Sequence, residues 1–241
     1  MKNQLFALAL ILVTSVGFTQ ETKEIDSTAV FILDKMTAVI GDLHAVNFHL
    51  SSSNDELDVN KHIVKEHHES DITFSGPDKL HIRIKGTEYD KGFWYDGSHM
   101  NFFNYNENNY VTLEAPETTL AMIDDMHANY DFQFPAADFF YPAFTDDLIE
   151  DFDSIKFLGK KTYDNEECYH IMANNKKLNV QIWVSSESDV LPKHFVIIYK
   201  DKSNMQYEAT FSDWRLNPSI PDAKFNFLPP PNSRLISILK K

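Results

Sequence analysis

The chain has 241 residues, 36 of them acidic and 22 basic, for a net charge of −14 with histidine neutral. Nucleic acid and an anionic lipid surface are thereby excluded as main partners, since both would repel it. Cys168 is the single cysteine, so no intrachain disulfide can form and stability must come from a core, for which 19 Phe, 10 Tyr and 3 Trp are available.

Residues 1–20 read as an export signal. Lys2 gives a short positive start, Leu5 to Val13 an apolar run, and Ser15, Gly17 and Thr19 the small residues that suit cleavage. A membrane helix needs ~20 apolar residues, and no stretch here is that long. No cysteine follows the signal to carry an acyl anchor. Residues 21–241 are expected to form one exported, soluble domain without an integral membrane segment. The expected compartment is the periplasm, with secretion as second choice.

Glu24 to Asp42 has helical spacing, with Asp26 or Ser27 as cap and Ala29, Ile32, Leu33, Met36, Val39 and Ile40 on one face. From Ala45 to Ala115 the period shortens to that of strands. Val46, Phe48 and Leu50 alternate with polar residues, Ser51 to Asp58 reads as a polar turn, and Val59 to Phe74 as a less regular strand. Gly76-Pro77-Asp78 turns the chain into the clean alternation of Leu80, Ile82 and Ile84. Asp96-Gly97 predicts a two-residue hairpin with a type I′ turn, followed by strands over Met100 to Tyr105 and Tyr110 to Leu113.

A helix is predicted over Thr118 to Tyr130. Phe134 to Ile149, broken by Pro135 and Pro142, suits a short helix and loop lying over something hydrophobic. Strands resume at Ile155 to Thr162, Cys168 to Ala173 and Leu178 to Ser185. Leu191 to Pro231 then predicts a long hairpin, with Met205, Tyr207, Ala209 and Phe211 on one face, and a short Phe225-x-Phe227 strand. The fold class is α+β, with about 11 antiparallel strands in a strongly curled sheet.

Chemistry-bearing motifs are absent from the sequence. Its 7 glycines build no phosphate cradle, and no Gly-x-Ser-x-Gly elbow occurs. His62, His67 and His68 cluster in sequence, but on a strand His67 and His68 face opposite sides, so no metal site is expected. Cys168 and His170 share a strand face, where a cysteine is far more often a buried small hydrophobe than a nucleophile. No catalytic residue, metal or cofactor is expected. What remains is the aromatic inner face of the sheet, which either encloses a pocket for an apolar ligand or is filled by its own side chains.

The segments FWYDGSHM, NNYVTLEAP, ETTLAMIDDM with ADFFY, ECYHI, VQIWV and DWRLNPSIPDAKFNFLPP occur in one order over most of the chain. In these the sequence resembles the predicted periplasmic proteins of domain-of-unknown-function family 2092. That family in turn is similar to the superfamily of the lipoprotein carrier LolA, LolB and mycobacterial lipid-binding lipoproteins. The resemblance implies an unclosed antiparallel half-barrel with an N-terminal helix, helices plugging its concave face, and an apolar cavity that holds acyl chains. LolA's lid arginine has no counterpart among Arg83, Arg215 and Arg234.

The expected function is therefore non-enzymatic binding or shuttling of a lipid or acyl chain. The alternative is a scaffold module with a filled barrel. The expected cavity lining is Leu80, Ile82, Ile84, Phe102, Leu178, Val180, Ile182, Met205, Tyr207 and Phe211. Phe134, Phe139, Phe140 and Tyr141 are expected to form a lid or plug.

Overall fold

The structure, a computed structural model, describes residues 23–241; the export signal expected over residues 1–20 lies outside them. A two-residue strand, β1 (Glu24–Ile25), precedes helix α1 (Ser27–Gly41). Asp26 caps the helix, its carboxylate accepting from the Thr28 N–H at 2.7 Å. Ala29, Ile32, Leu33, Met36 and Ile40 are buried along one side. The helix starts later than expected because Glu24 and Ile25 pair in parallel with Ser154 and Ile155.

Six strands follow as a meander: β2 (Ala45–Leu57), β3 (Ile63–Ser75), β4 (Lys79–Gly86), β5 (Lys91–Tyr95), β6 (His99–Asn104) and β7 (Asn109–Glu114). The polar run Ser51 to Leu57, expected to turn, instead continues β2 in register with β3 as far as the Leu57–Ile63 pair. A ladder joins backbone to backbone, so polar side chains facing water or a cavity do not end it. The turn after β5 is also longer than expected. Asp96, Gly97 and Ser98 separate the strands, and of these only Gly97 has a positive φ, so a two-residue type I′ turn is ruled out. The Asp96 carboxylate holds this loop by accepting from the backbone N–H groups of Ser98 and His99.

Helix α2 (Thr119–Tyr130), a 3-10 turn over Ala137–Phe140 and helix α3 (Phe144–Asp151) then cross the concave side. A second meander completes the sheet: β8 (Ser154–Tyr163), β9 (Glu166–Asn174), β10 (Leu178–Ser185), β11 (Pro192–Tyr199) and β12 (Met205–Leu216). Pairing of β12 with β2, in which Phe211 stands opposite Leu50, stitches the two meanders together. With β13 (Arg234–Leu235) lying parallel to β7 at the far end, the result is one unclosed, curved sheet of 13 strands in an α+β fold. The two strands beyond the expected 11 are the two-residue pieces β1 and β13, too short to show a period.

Register explains the concave face. Phe48, Ile72, Ile82, Phe93, Phe102 and Val111 stand opposite one another across six strands. Residues in such a row point to one side of the sheet. All of them but Val111 meet the buried residues of α1, α2 and α3 in a common core. The expected Phe225-x-Phe227 strand does not form. Asp222–Lys224 is a 3-10 turn, and the prolines at 221, 229, 230 and 231 lack the N–H a ladder requires. Phe225 is buried, and Phe227 packs against Trp94, Phe103 and Tyr110.

Candidate functional site

The stretch from Phe132 to Tyr141 enters the hollow of the half-barrel and divides it. Asp131 and Ala136 both adopt left-handed backbone, which lets the chain leave α2 sharply and fold back into the 3-10 turn. Aromatic contacts anchor the segment on both sides. Phe139 lies 5.0 Å from Phe144, 5.2 Å from Phe195 and 5.4 Å from Phe211, centroid to centroid. Phe140 stacks on Phe48 at 5.8 Å. Phe134 tilts onto Phe93, and Phe132 meets both Phe93 and Phe102.

Three open lobes of about 530, 520 and 560 Å³ surround this plug, a size range typical of small-molecule sites. The first lies between the plug, α3 and β10–β11; Phe139, Phe144, Leu148, Val180, Ile182 and Ile197 are among its walls. The second lies between the end of α1, β3–β4 and the start of α2, with Ile40, Ile72, Phe74, Leu80, Ile82 and Phe140. The third opens between the base of the β2–β3 hairpin and β11–β12. It mixes Ile84, Ile197, Met205 and Tyr207 with Ser52, Asn54, Asp55, Glu56 and His68.

Seven of the ten residues expected to line a cavity border a lobe: Leu80 and Ile82 the second, Ile84, Met205 and Tyr207 the third, Val180 and Ile182 the first. Phe102, Leu178 and Phe211 border none. Phe102 is covered by Phe132, Phe211 packs against Phe139 and Phe195, and Leu178 sits half-buried against the core. Of the four expected plug residues, Phe134 touches all three lobes, Phe139 and Tyr141 the first, and Phe140 the second.

Sequence reasoning missed Phe195 and Ile197 of β11, which wall two lobes. Their strand reads Phe-Val-Ile-Ile-Tyr, an unbroken apolar run that hides which side faces in. Pairing it with the alternating β12 would have revealed the face, because Ile197 stands opposite Tyr207 and Phe195 opposite Ala209.

Polar groups sit around the lobes. Asp138 borders both the first and the third and keeps an exposed surface there. The protein packed around it still strips away enough hydration to raise its carboxyl pKa above the ordinary value. Burial, reinforced by a hydrogen bond of 2.7 Å to the Asp124 carboxylate, raises the Tyr141 phenol. Burial likewise raises Tyr199 and Tyr207 and lowers His68. On the opposite side of the sheet, His170 stacks on Trp183 at 4.1 Å and hydrogen-bonds Gln181 at 3.1 Å. The buried Cys168 thiol, pushed up by burial, points to the Glu166 carbonyl. Neither is arranged as a nucleophile and base. Among the described residues, no three His, Cys, Asp or Glu side chains are grouped to hold a metal ion.

Residues 29–239 match the family model described as "Predicted periplasmic protein (DUF2092)". No curated protein matches the sequence. Among solved structures, the chain is similar to an uncharacterized conserved protein from Thermus thermophilus, with a TM-score of 0.51 and 8% identity over 87% of this chain and 98% of that one. It is similar also to the lipoprotein LppX of Mycobacterium tuberculosis, with a TM-score of 0.51 and 9% identity over 81% and 98%. A LolA-superfamily protein from Nitrosomonas europaea aligns more loosely, with a TM-score of 0.37 and 11% identity over 83% and 97%. At these identities the first two likenesses are of fold alone.

Proposed function

Because the chain belongs to the DUF2092 family of predicted periplasmic proteins, we propose that it is a periplasmic, non-enzymatic carrier that holds a lipid or acyl chain in the hollow of its half-barrel. One observation carries this reading: three largely apolar lobes meet around a plug that is itself built of phenylalanines. An acyl chain entering them gains about 25 cal/mol for each Å² of apolar surface removed from water. The plug's contacts are aromatic edges and faces, which can shift without leaving a hydrogen-bonding group unpaired. Among the described residues no helix is long and apolar enough to cross a membrane. The open lobes favour the carrier over a filled scaffold.

Native mass spectrometry with lipid extraction, on mature protein from its own periplasm, tests the reading. A reproducible, stoichiometric lipid is expected. Ile82→Asp, in the second lobe wall and 2% exposed, should abolish co-purified lipid and also lower stability. Met205→Trp, at the half-buried wall of the third lobe, should block binding at a smaller cost to stability. An empty protein that also rejects added fatty acids, amines and phospholipids would count against the carrier, as would unchanged lipid content in both variants.

A further inference from the structure

The lobes are apolar along their walls but one-sided in charge. Asp124, Asp138, Asp147 and Asp151 border the first, while Asp55, Glu56 and again Asp138 border the third. Against these six carboxylates stand one lysine, Lys202 of the third lobe, and two histidines, His127 of the first and His68 of the third; among the described residues no lysine or arginine borders the first or second. Three of the six are engaged: Asp55 pairs with Lys65 at 3.1 Å and accepts from the Gln206 N–H, Glu56 accepts from Asn54, and Asp124 accepts from Tyr141. Asp147 and Asp151 lie on the exposed side of α3.

Asp138 differs. It sits on the plug between two lobes, and among the described residues its carboxylate has no hydrogen-bond or ion-pair partner. A second, independent group in the third lobe also lacks one. The Ser70 hydroxyl, on a residue only 1% exposed, has no partner and lines that lobe from the sheet side. A buried hydroxyl left unpaired is costly. One that shares the mixed third lobe with a carboxylate free of protein partners points to a ligand that supplies polar atoms there.

We propose that the cavity is selective for an amphiphile bearing an amine, whose ammonium meets Asp138 while its chain fills the apolar lobes. This rests on the carrier reading above and specifies its cargo by head group. The physical reason is the direction of the field. An ammonium is attracted to Asp138 and a carboxylate is repelled by it and by its acidic neighbours, an effect that water and salt in the open lobes screen only in part. Specificity of this kind comes as much from rejecting the wrong charge as from binding the right one. A neutral head loses the attraction but escapes the repulsion, and so falls between. Ser70, as donor or acceptor, serves a hydroxyl-bearing head and contributes no charge preference.

The test uses the mature full chain and three probes of equal chain length: dodecylamine, dodecanol and dodecanoate, each competing with a fluorescent amphiphile. The expected order is amine, alcohol, carboxylate, with amine over carboxylate by roughly tenfold or more at low salt. Asp138→Asn is expected to reduce that ratio to about threefold or less, with amine affinity falling more than dodecanol affinity. Equal or tighter binding of dodecanoate overturns the proposal but leaves the carrier reading standing, as does an unaltered ratio in Asp138→Asn. Failure of all three probes to bind overturns the proposal, and overturns the carrier reading with it where mass spectrometry also finds the protein empty.

Discussion

Two histidines show how much a side chain's partners decide its response to pH. His49, on the outer face, is opposed by partial burial, but the carboxylates of Asp71 at 2.8 Å and Glu69 at 2.7 Å outweigh this and raise its pKa. Its contribution to stability is therefore full below the ordinary histidine pKa of about 6.5 and is lost as pH rises through the higher folded value. His81 behaves oppositely. Burial, then the nearby charges of Lys224 and Arg83, lower it to about 4, so the unfolded chain takes up a proton that the folded one refuses, and stability falls as pH drops from about 6.5 toward 4. His49→Gln should accordingly lower the melting temperature more at about pH 5.5 than at about pH 9, whereas His81→Leu should flatten the loss of stability on the acid side. Thermal scans of both variants across this range decide it; an equal effect of His49→Gln at both pH values would refute the ion-pair account. Neither role was legible in sequence. His49 reads as the polar partner in an alternating strand, and its carboxylates lie 20 and 22 residues away on β3.

At the scale of elements, the plug does the most to shape the hollow. Phe139 is 4% exposed and touches Phe144, Phe195 and Phe211, which belong to α3, β11 and β12. Phe139→Ala should cost about 3–5 kcal/mol in denaturant unfolding, since these three neighbours cannot close the gap together. It should also enlarge the first lobe and strengthen binding of a bulkier amphiphile in a titration of the surviving folded protein. The plug was legible as apolar, proline-broken chain lying over a hydrophobic surface, and so were the strands that alternate strictly, such as Leu80, Ile82 and Ile84. Where alternation failed, the reading failed with it. The uniform Phe195–Tyr199 run hid two lobe walls, and the Phe-x-Phe alternation at 225–227 suggested a strand where a 3-10 turn instead leaves Phe225 in helical backbone. The acidic perimeter was equally hidden. Asp124 and Asp147 belong to different helices, and only the folding of α2 and α3 across the concave side brings them to a common lobe.

For the whole molecule, the half-barrel was legible from the count and spacing of strands and from the family resemblance, but the order of its strands was not. The central seam joins β12 to β2, segments some 150 residues apart whose side chains give no local sign of their partner, as in the Tyr207–Asn54 pair. Such non-local pairings are the slow part of folding, because the intervening chain must be ordered before they form. The two ends of the sheet have a further consequence. Every interior strand spends its backbone groups on neighbours, and a curved sheet that does not close leaves two rows of them unpaired, ready to template another chain. Here each row meets a short parallel piece: Glu24 and Asp26 donate to the carbonyls of Asp153 and Ile155, and Arg234 and Ile236 donate to those of Asn108 and Tyr110. A chain shortened to end at Asn232 should therefore keep its hollow and associate with itself more strongly than the full chain as concentration rises, followed by light scattering; equal behaviour of the two would refute this role for β13. Each short piece thus shields the first residues of an edge strand, Ser154 and Ile155 on one side and Asn109 and Tyr110 on the other, and the truncation reads whether that cover keeps the open edge from pairing with a second copy.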